Sequence, residues 1–195
     1  MNKGELTRQR IIAEAAPLFN QRGYAGCSMQ DIMDATGMEK GGLYRHFASK
    51  EELAVEALRY ALANSTRTRM ENLEEIEGTV ERLRCVIRRF VETPSAMPGG
   101  CPLMNAAIDC DDGNPMLRRV ALEAIQAWKG RLGRIVEEGV ERGEVRREVE
   151  PRRIANTIVA TLEGALMVSR LEGNKVALED ARDSLEIALE GIAAR

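Results

Sequence analysis

The chain has 195 residues, 44% of them hydrophobic and 30% charged, enough for one domain or two small ones with a sizeable core. The net charge is −3, no stretch approaches the apolar length that spans a bilayer, and the opening Met-Asn-Lys-Gly-Glu-Leu-Thr lacks the apolar centre of a secretory signal, so the cytoplasm is the expected compartment. Cys27, Cys85, Cys101 and Cys110 show no CxxC spacing and His46 is the single histidine, so neither a zinc site nor a disulfide framework is indicated; reduced thiols, no metal and no cofactor are expected.

Helical periodicity begins at Thr7 to Arg22, where Ile11, Ile12, Ala15, Leu18 and Phe19 form one stripe and Gly23 supplies the stop. Pro17 removes a backbone donor inside that stripe and predicts a less regular axis. Ser28 is a good N-cap with Asp31 three residues on, followed by Ile32 and Met33, so a second helix starts there. Thr36 and Gly37 end it, Gly37 being able to take the positive φ of a helix end, and Met38 restarts a segment carrying Leu43, Tyr44 and Phe47. Two short helices joined by a tight glycine-containing turn are the layout of a helix-turn-helix that reads DNA.

Ser49 and Glu52 form an S-x-x-E capping box that opens a long helix with Leu53, Ala57, Leu58 and Leu62 on one side. Beyond Gly78 the pattern resumes through Val80, Leu83, Val86, Ile87, Phe90 and Val91 and stops at the Pro/Gly-rich residues 93–100, a predicted loop. A short apolar run from Cys101 to Cys110 follows, then Asn114 as N-cap and Pro115 at the first helical position announce another long helix, with Leu117, Val120, Ala121, Ala124, Ile125, Trp128, Leu132, Ile135 and Val136 in one stripe. Gly139 and Gly143 end it. Two further helices are predicted, from Pro151 to about Leu171 and from Val176 to about Ala194. The first is apolar on more than one face and carries Ala160 and Gly164, which permit close helix approach; together with the last helix, whose stripe is Leu178, Ala181, Leu185, Ala188, Leu189 and Ile192, it is the expected homodimer interface. No strands are predicted. The fold class is therefore all-α, about nine helices, with an N-terminal three-helix domain over 1–48 and a helical domain over 49–195.

Charge is unevenly placed: residues 1–50 carry seven Lys/Arg against five Asp/Glu, so the acidic excess lies beyond them. The spacing of Arg22-Gly23-Tyr24, Ser28, Asp31-Ile32, Thr36-Gly37 and the run Lys40-Gly41-Gly42-Leu43-Tyr44-Arg45-His46-Phe47-Ala48-Ser49-Lys50-Glu51-Glu52-Leu53 resembles the TetR/AcrR family of transcriptional regulators over about the first sixty residues. The resemblance implies an all-α homodimer that binds double-stranded operator DNA through its N-terminal helices and holds a small molecule among the C-terminal ones, most members being repressors released by ligand.

Under that resemblance residues 39–45 align with the recognition helix, which places Lys40, Gly41, Gly42, Tyr44 and His46 toward the major groove or its flanking phosphates. Lys40 suits guanine O6/N7 or a phosphate, the paired glycines suit close backbone approach, and Tyr44 and His46 offer donors. Gly42 stands where the family often has threonine, which removes one side-chain contact. Ser28 and Lys50, at helix N-termini, are expected to position phosphates, and Gln30 to add a base contact. For an effector, expected to be a small apolar or electrophilic molecule, Phe90, Met97, Cys101, Leu103, Met104, Asn105, Trp128 and Met167 supply soft or bulky side chains, with Asn105 or Asp109 to orient a polar group. Cys101 opens a helix, where the amide dipole lowers a thiol pKa, and Gly100-Cys101-Pro102-Leu103 resembles a motif of a family branch that includes cysteine-based sensors; an electrophile-sensing repressor is the alternative reading. An enzyme is disfavoured: the lone histidine lies in the DNA motif, no glycine-rich phosphate loop follows a strand, and no nucleophile has a visible base. An architectural or purely protein-binding helical domain with a degenerate helix-turn-helix is the remaining rival.

Overall fold

A computed structural model describes residues 2–95 and 97–194. Among the described residues nine α-helices follow in order: α1 Lys3–Gly26, α2 Met29–Thr36, α3 Lys40–Tyr44, α4 Lys50–Met70, α5 Thr79–Glu92, α6 Pro102–Cys110, α7 Pro115–Glu141, α8 Pro151–Glu172 and α9 Val176–Ile192. Among the described residues no strand occurs beyond one isolated antiparallel bridge between Val145 and Ala193. The all-α expectation holds.

Local chemistry accounts for most helix ends. α1 begins four residues before the predicted Thr7, because Asn2 caps it through its Oδ1, which accepts the Glu5 N–H at 2.9 Å. It continues through Pro17 and breaks at Gly23, whose φ of 72° and ψ of 171° only glycine adopts readily. Ser28 and Asp31 cap α2 reciprocally, side chain to backbone in both directions, and Gly37 closes it in the left-handed conformation at φ 61°. Ser49 Oγ accepts the Glu52 N–H at 3.1 Å as predicted, while Glu52 reaches one residue further back than in the standard box, to the Ala48 N–H at 2.7 Å. Asn114 Oδ1 accepts the N–H groups of Met116 and Leu117, both at 2.9 Å, with Pro115 in the first turn of α7.

Packing divides the chain into two compact units, Met1–Ser65 with Ser95–Ile125, and Thr66–Pro94 with Gln126–Arg195. The first therefore contains the helix-turn-helix and also α6 and the start of α7. Its core joins Ile11, Ile12 and Ala15 of α1 to Cys27, Ile32, Leu43, Phe47 and Leu53. A second cluster sets Ala16 against Ala57, Ala61 and Met97, and a third sets Ala54 against Cys110 and Leu117. In the other unit α8 packs on α9, and both pack on α5.

By length and mean hydropathy, 1.2, α8 is long enough and apolar enough to cross a membrane, contrary to the expectation that no stretch is. Its composition reflects two apolar faces. Ala155, Ile158, Val159 and Leu162 are buried, whereas Ala160, Gly164, Met167 and Leu171 lie exposed on the opposite side at helical spacing. For α9 the assignment of the stripe is corrected in part: Leu178, Ala181, Leu185, Leu189 and Ile192 are buried within this chain, whereas Ala188 is exposed, and the outward face also carries Val176, Ser184, Ile187 and Gly191.

Candidate nucleic-acid interface

The recognition segment is shaped by what lies beneath it. Leu43 is fully buried and Phe47 nearly so, each contributing about 1.5–3 kcal/mol by leaving water. That fixes which arc of α3 faces outward. Lys40, Gly41, Tyr44 and Arg45 are exposed, with Tyr44 at 44%, and His46 is half-buried at the edge. A side chain added at Gly41 would meet nothing within 4 Å, so the backbone surface there is open to an approaching partner. Gly42 departs from the expectation: it is buried, facing Met38 rather than outward.

Part of the cationic charge on this unit is committed elsewhere. Arg8 pairs with Glu52 and Glu56, Arg10 with Glu14, and Arg22 with Asp31. Among the described residues no ion pair holds Lys40 or Arg45, so both ends of α3 carry cationic charge available to a polyanion. Arg45 was not singled out from the sequence; the signal that finds it is its position immediately after Tyr44, on the arc left outside once Leu43 is buried.

The flanking candidates are placed differently from one another. Ser28 is exposed, but its hydroxyl bonds the Asp31 carboxylate and its N–H donates to that same carboxylate at 2.8 Å. These bonds, with the Arg22 guanidinium, hold the Asp31 carboxyl down at about 2. A carboxylate therefore already occupies the α2 N-terminus where a phosphate was expected. Gln30 is exposed and donates to Asp34 at 2.7 Å. Lys50 is turned inward: its ammonium donates to the Tyr24 carbonyl and sits 4.3 Å from the centre of the Tyr24 ring, which itself stacks on Phe19.

The expected effector residues fall in both units. Phe90 and Trp128 stack at 5.9 Å between centroids, nearly parallel, and the Arg69 guanidinium lies 4.4 Å over Phe90. Met167 is 45% exposed on the outer stripe of α8, away from the buried face. In the other unit Met104 is half-buried, and Cys101, the N-cap of α6, is only 2% exposed. Asn105 is committed structurally: its amide donates to the Asn20 carbonyl, Asn20 Oδ1 and the Gly99 carbonyl at 3.0, 3.1 and 2.9 Å. Asp109 accepts the Tyr24 N–H at 2.8 Å, in the space that a side chain at Gly23 would need. These two residues fasten α6 to the end of α1. None of the four cysteines forms a disulfide.

A family model described as bacterial regulatory proteins, tetR family, matches residues 11–57, and one described as the tetracyclin repressor-like C-terminal domain matches residues 79–185, more than half of the chain. The chain belongs to the TetR family of transcriptional regulators. A TetR transcriptional regulator from Chloroflexus aurantiacus is 42% identical and superposes with a TM-score of 0.92 over 99% of this chain and 98% of its own. A TetR-family regulator from Cytophaga hutchinsonii is 32% identical, with a TM-score of 0.94 over 100% and 98% of the two chains. The HTH-type transcriptional repressor DhaR of a Mycobacterium species is 28% identical over 88% of this chain and 86% of its own length. This TetR-family chain is thus a DNA-binding regulator, and the family relation extends to the C-terminal helices, where the sequence alone offered only helical periodicity.

Proposed function

We propose that this TetR-family chain is a cytoplasmic repressor that binds a palindromic operator as a homodimer and is released by a small apolar effector. The observation that carries the reading is the outward arc of α3, where Lys40, Gly41, Tyr44 and Arg45 combine open backbone, donors and cationic charge without an internal counter-ion. Lys40 reads a base edge, Tyr44 and His46 contact phosphates beside it, and Gln30 adds a contact from α2. Ser28 and Lys50 hold the module in shape. Homodimerisation through α8 and α9 is supported by the exposed stripe of Ala160, Gly164, Met167 and Leu171 with Ile187 of α9, since Leu171 is 83% and Ile187 72% exposed in the single chain. The stacked pair Phe90 and Trp128 supports an apolar effector beside it.

Selection of duplexes from a randomised pool by the wild-type protein, followed by fluorescence anisotropy, tests the reading. Lys40→Ala is expected to lose about 5- to 150-fold on the selected duplex, the range of one good base contact, and much less on random duplex. Equal losses on both remove base readout from Lys40. A protein that enriches no sequence, or that binds one half-site as tightly as two spaced by multiples of about 34 Å, overturns operator binding by a dimer.

A further inference from the structure

Gly41 and Gly42 lie side by side in α3, and neither has a positive φ, so backbone conformation requires glycine at neither. Glycine inside a helix is destabilising against alanine, so each needs a spatial reason. For Gly41 the reason is outside, in the open surface already described. For Gly42 it is inside: an added Cβ would lie 2.9 Å from Met38 Cε, closer than carbon atoms approach without a shift. The thioether of Met38 therefore fills the volume that a side chain at 42 would take. Its sulfur accepts from the exposed guanidinium of Arg10 on α1 at 3.7 Å, and its shaft packs against the core that holds Ile32, Leu43 and Phe47. Met38 also bridges the turn, since its N–H donates to the Met33 carbonyl at 3.2 Å.

We infer that Met38 is a positioning residue for base readout, a plug between α1 and the underside of Gly42 that sets the height at which α3 meets DNA. The inference rests on the reading that α3 enters the groove. Met38 touches no base; it acts through the backbone of Gly42, whose N–H closes the first turn of α3 on the Glu39 carbonyl at 2.9 Å. Methionine suits the task because its unbranched, flexible end fits irregular space. Removing the plug lets α3 settle, and adding a side chain at 42 displaces the flexible methyl end of the plug, so the two changes act on the same contact and are not independent.

The test is a mutant cycle of Met38→Ala, Gly42→Ala and the double variant, with Met38→Leu as the volume-conserving control, on protein that keeps its native helical circular dichroism. The readout is the ratio of affinities for the duplex selected by wild type and for random duplex. Each single alanine variant is expected to lower that ratio fivefold or more, the double variant by clearly less than the product of the two, and Met38→Leu to retain it within twofold, all with an unchanged salt slope. If Met38→Ala does not fold, Gly42→Ala and Met38→Leu still decide the matter: an unchanged ratio in Gly42→Ala overturns the inference. So does simple multiplication of the single effects. A wild-type protein that selects no duplex fails the operator reading instead, a result distinguishable from any of these.

Discussion

Two positions near the end of α1 show how much rests on single residues. Gly23 combines a backbone conformation open almost only to glycine with a carboxylate oxygen of Asp109 placed 2.8 Å from any added Cβ. Gly23→Ala is expected to cost about 1–3 kcal/mol in denaturant unfolding. Asp31 makes a prediction about acid. Its carboxyl is held at about 2 against an ordinary 3.8, so its contribution to stability is complete above the ordinary value and is lost as pH falls from about 4 toward 2. Asp31→Asn should flatten the acid limb of the thermal stability profile, and an unaltered limb would contradict the arrangement. Burial first, then the neighbouring Asp109 carboxylate, pushes the Cys110 thiol up to about 11, and burial also raises that of Cys27. Both thiols are expected to resist iodoacetamide at pH 8 in the native protein and to react on unfolding, as read by peptide mass spectrometry.

Helices and their ends show what was legible from sequence. Ser28, Gly37, Ser49 and Asn114 were readable because a cap depends on residues three or four apart, and each is found at the helix boundary it predicts. The same logic applied to Asn2 and Glu5 would have found the true start of α1. In the candidate site the exposure of Lys40, Gly41 and Tyr44 follows from burying Leu43, whereas the burial of Gly42, the hydrogen bonds of Asn105 and the exposure of Met167 depend on how separate segments pack and were not legible. Asn105 illustrates this, as its three acceptors come from Asn20 and Gly99. Asn105→Ala leaves half-buried acceptors unmatched and is expected to cost about 1 kcal/mol, measured by chemical denaturation. Trp128 is the single tryptophan of the chain and stacks on Phe90, so its emission reports on that spot alone; an apolar effector bound there should shift it, and Phe90→Leu should weaken the response.

At the level of the whole molecule, charge and assembly set behaviour in solution. The basic excess lies in the first fifty residues of a chain whose net charge is −3, and three of the seven basic groups there, Arg8, Arg10 and Arg22, already have carboxylate partners. DNA binding should therefore fall with salt at a modest slope, near 0.9 per phosphate engaged. Lys50→Ala, which breaks the contact with Tyr24, should lower thermal stability and weaken binding to selected and random duplexes by one common factor. Assembly has a direct probe in the outer stripe of α8: Leu171→Glu or Gly164→Trp is expected to shift the protein toward monomer in analytical ultracentrifugation while leaving its helicity intact. An unchanged sedimentation coefficient would place the interface elsewhere.

The last turns of backbone carry a consequence for anyone who trims or tags this protein. Ala194 donates to the Glu144 carbonyl at 2.9 Å, Arg146 donates to the Ile192 carbonyl at 3.0 Å, and the Glu144 side chain accepts the N–H of buried Thr79 at the start of α5 at 2.6 Å. The tail is thus a latch on a residue that stoppers another helix. Clipping the polypeptide after Ile192 would loosen Glu144 and, through it, let the first turn of α5 fray, a change visible as faster amide exchange at Thr79.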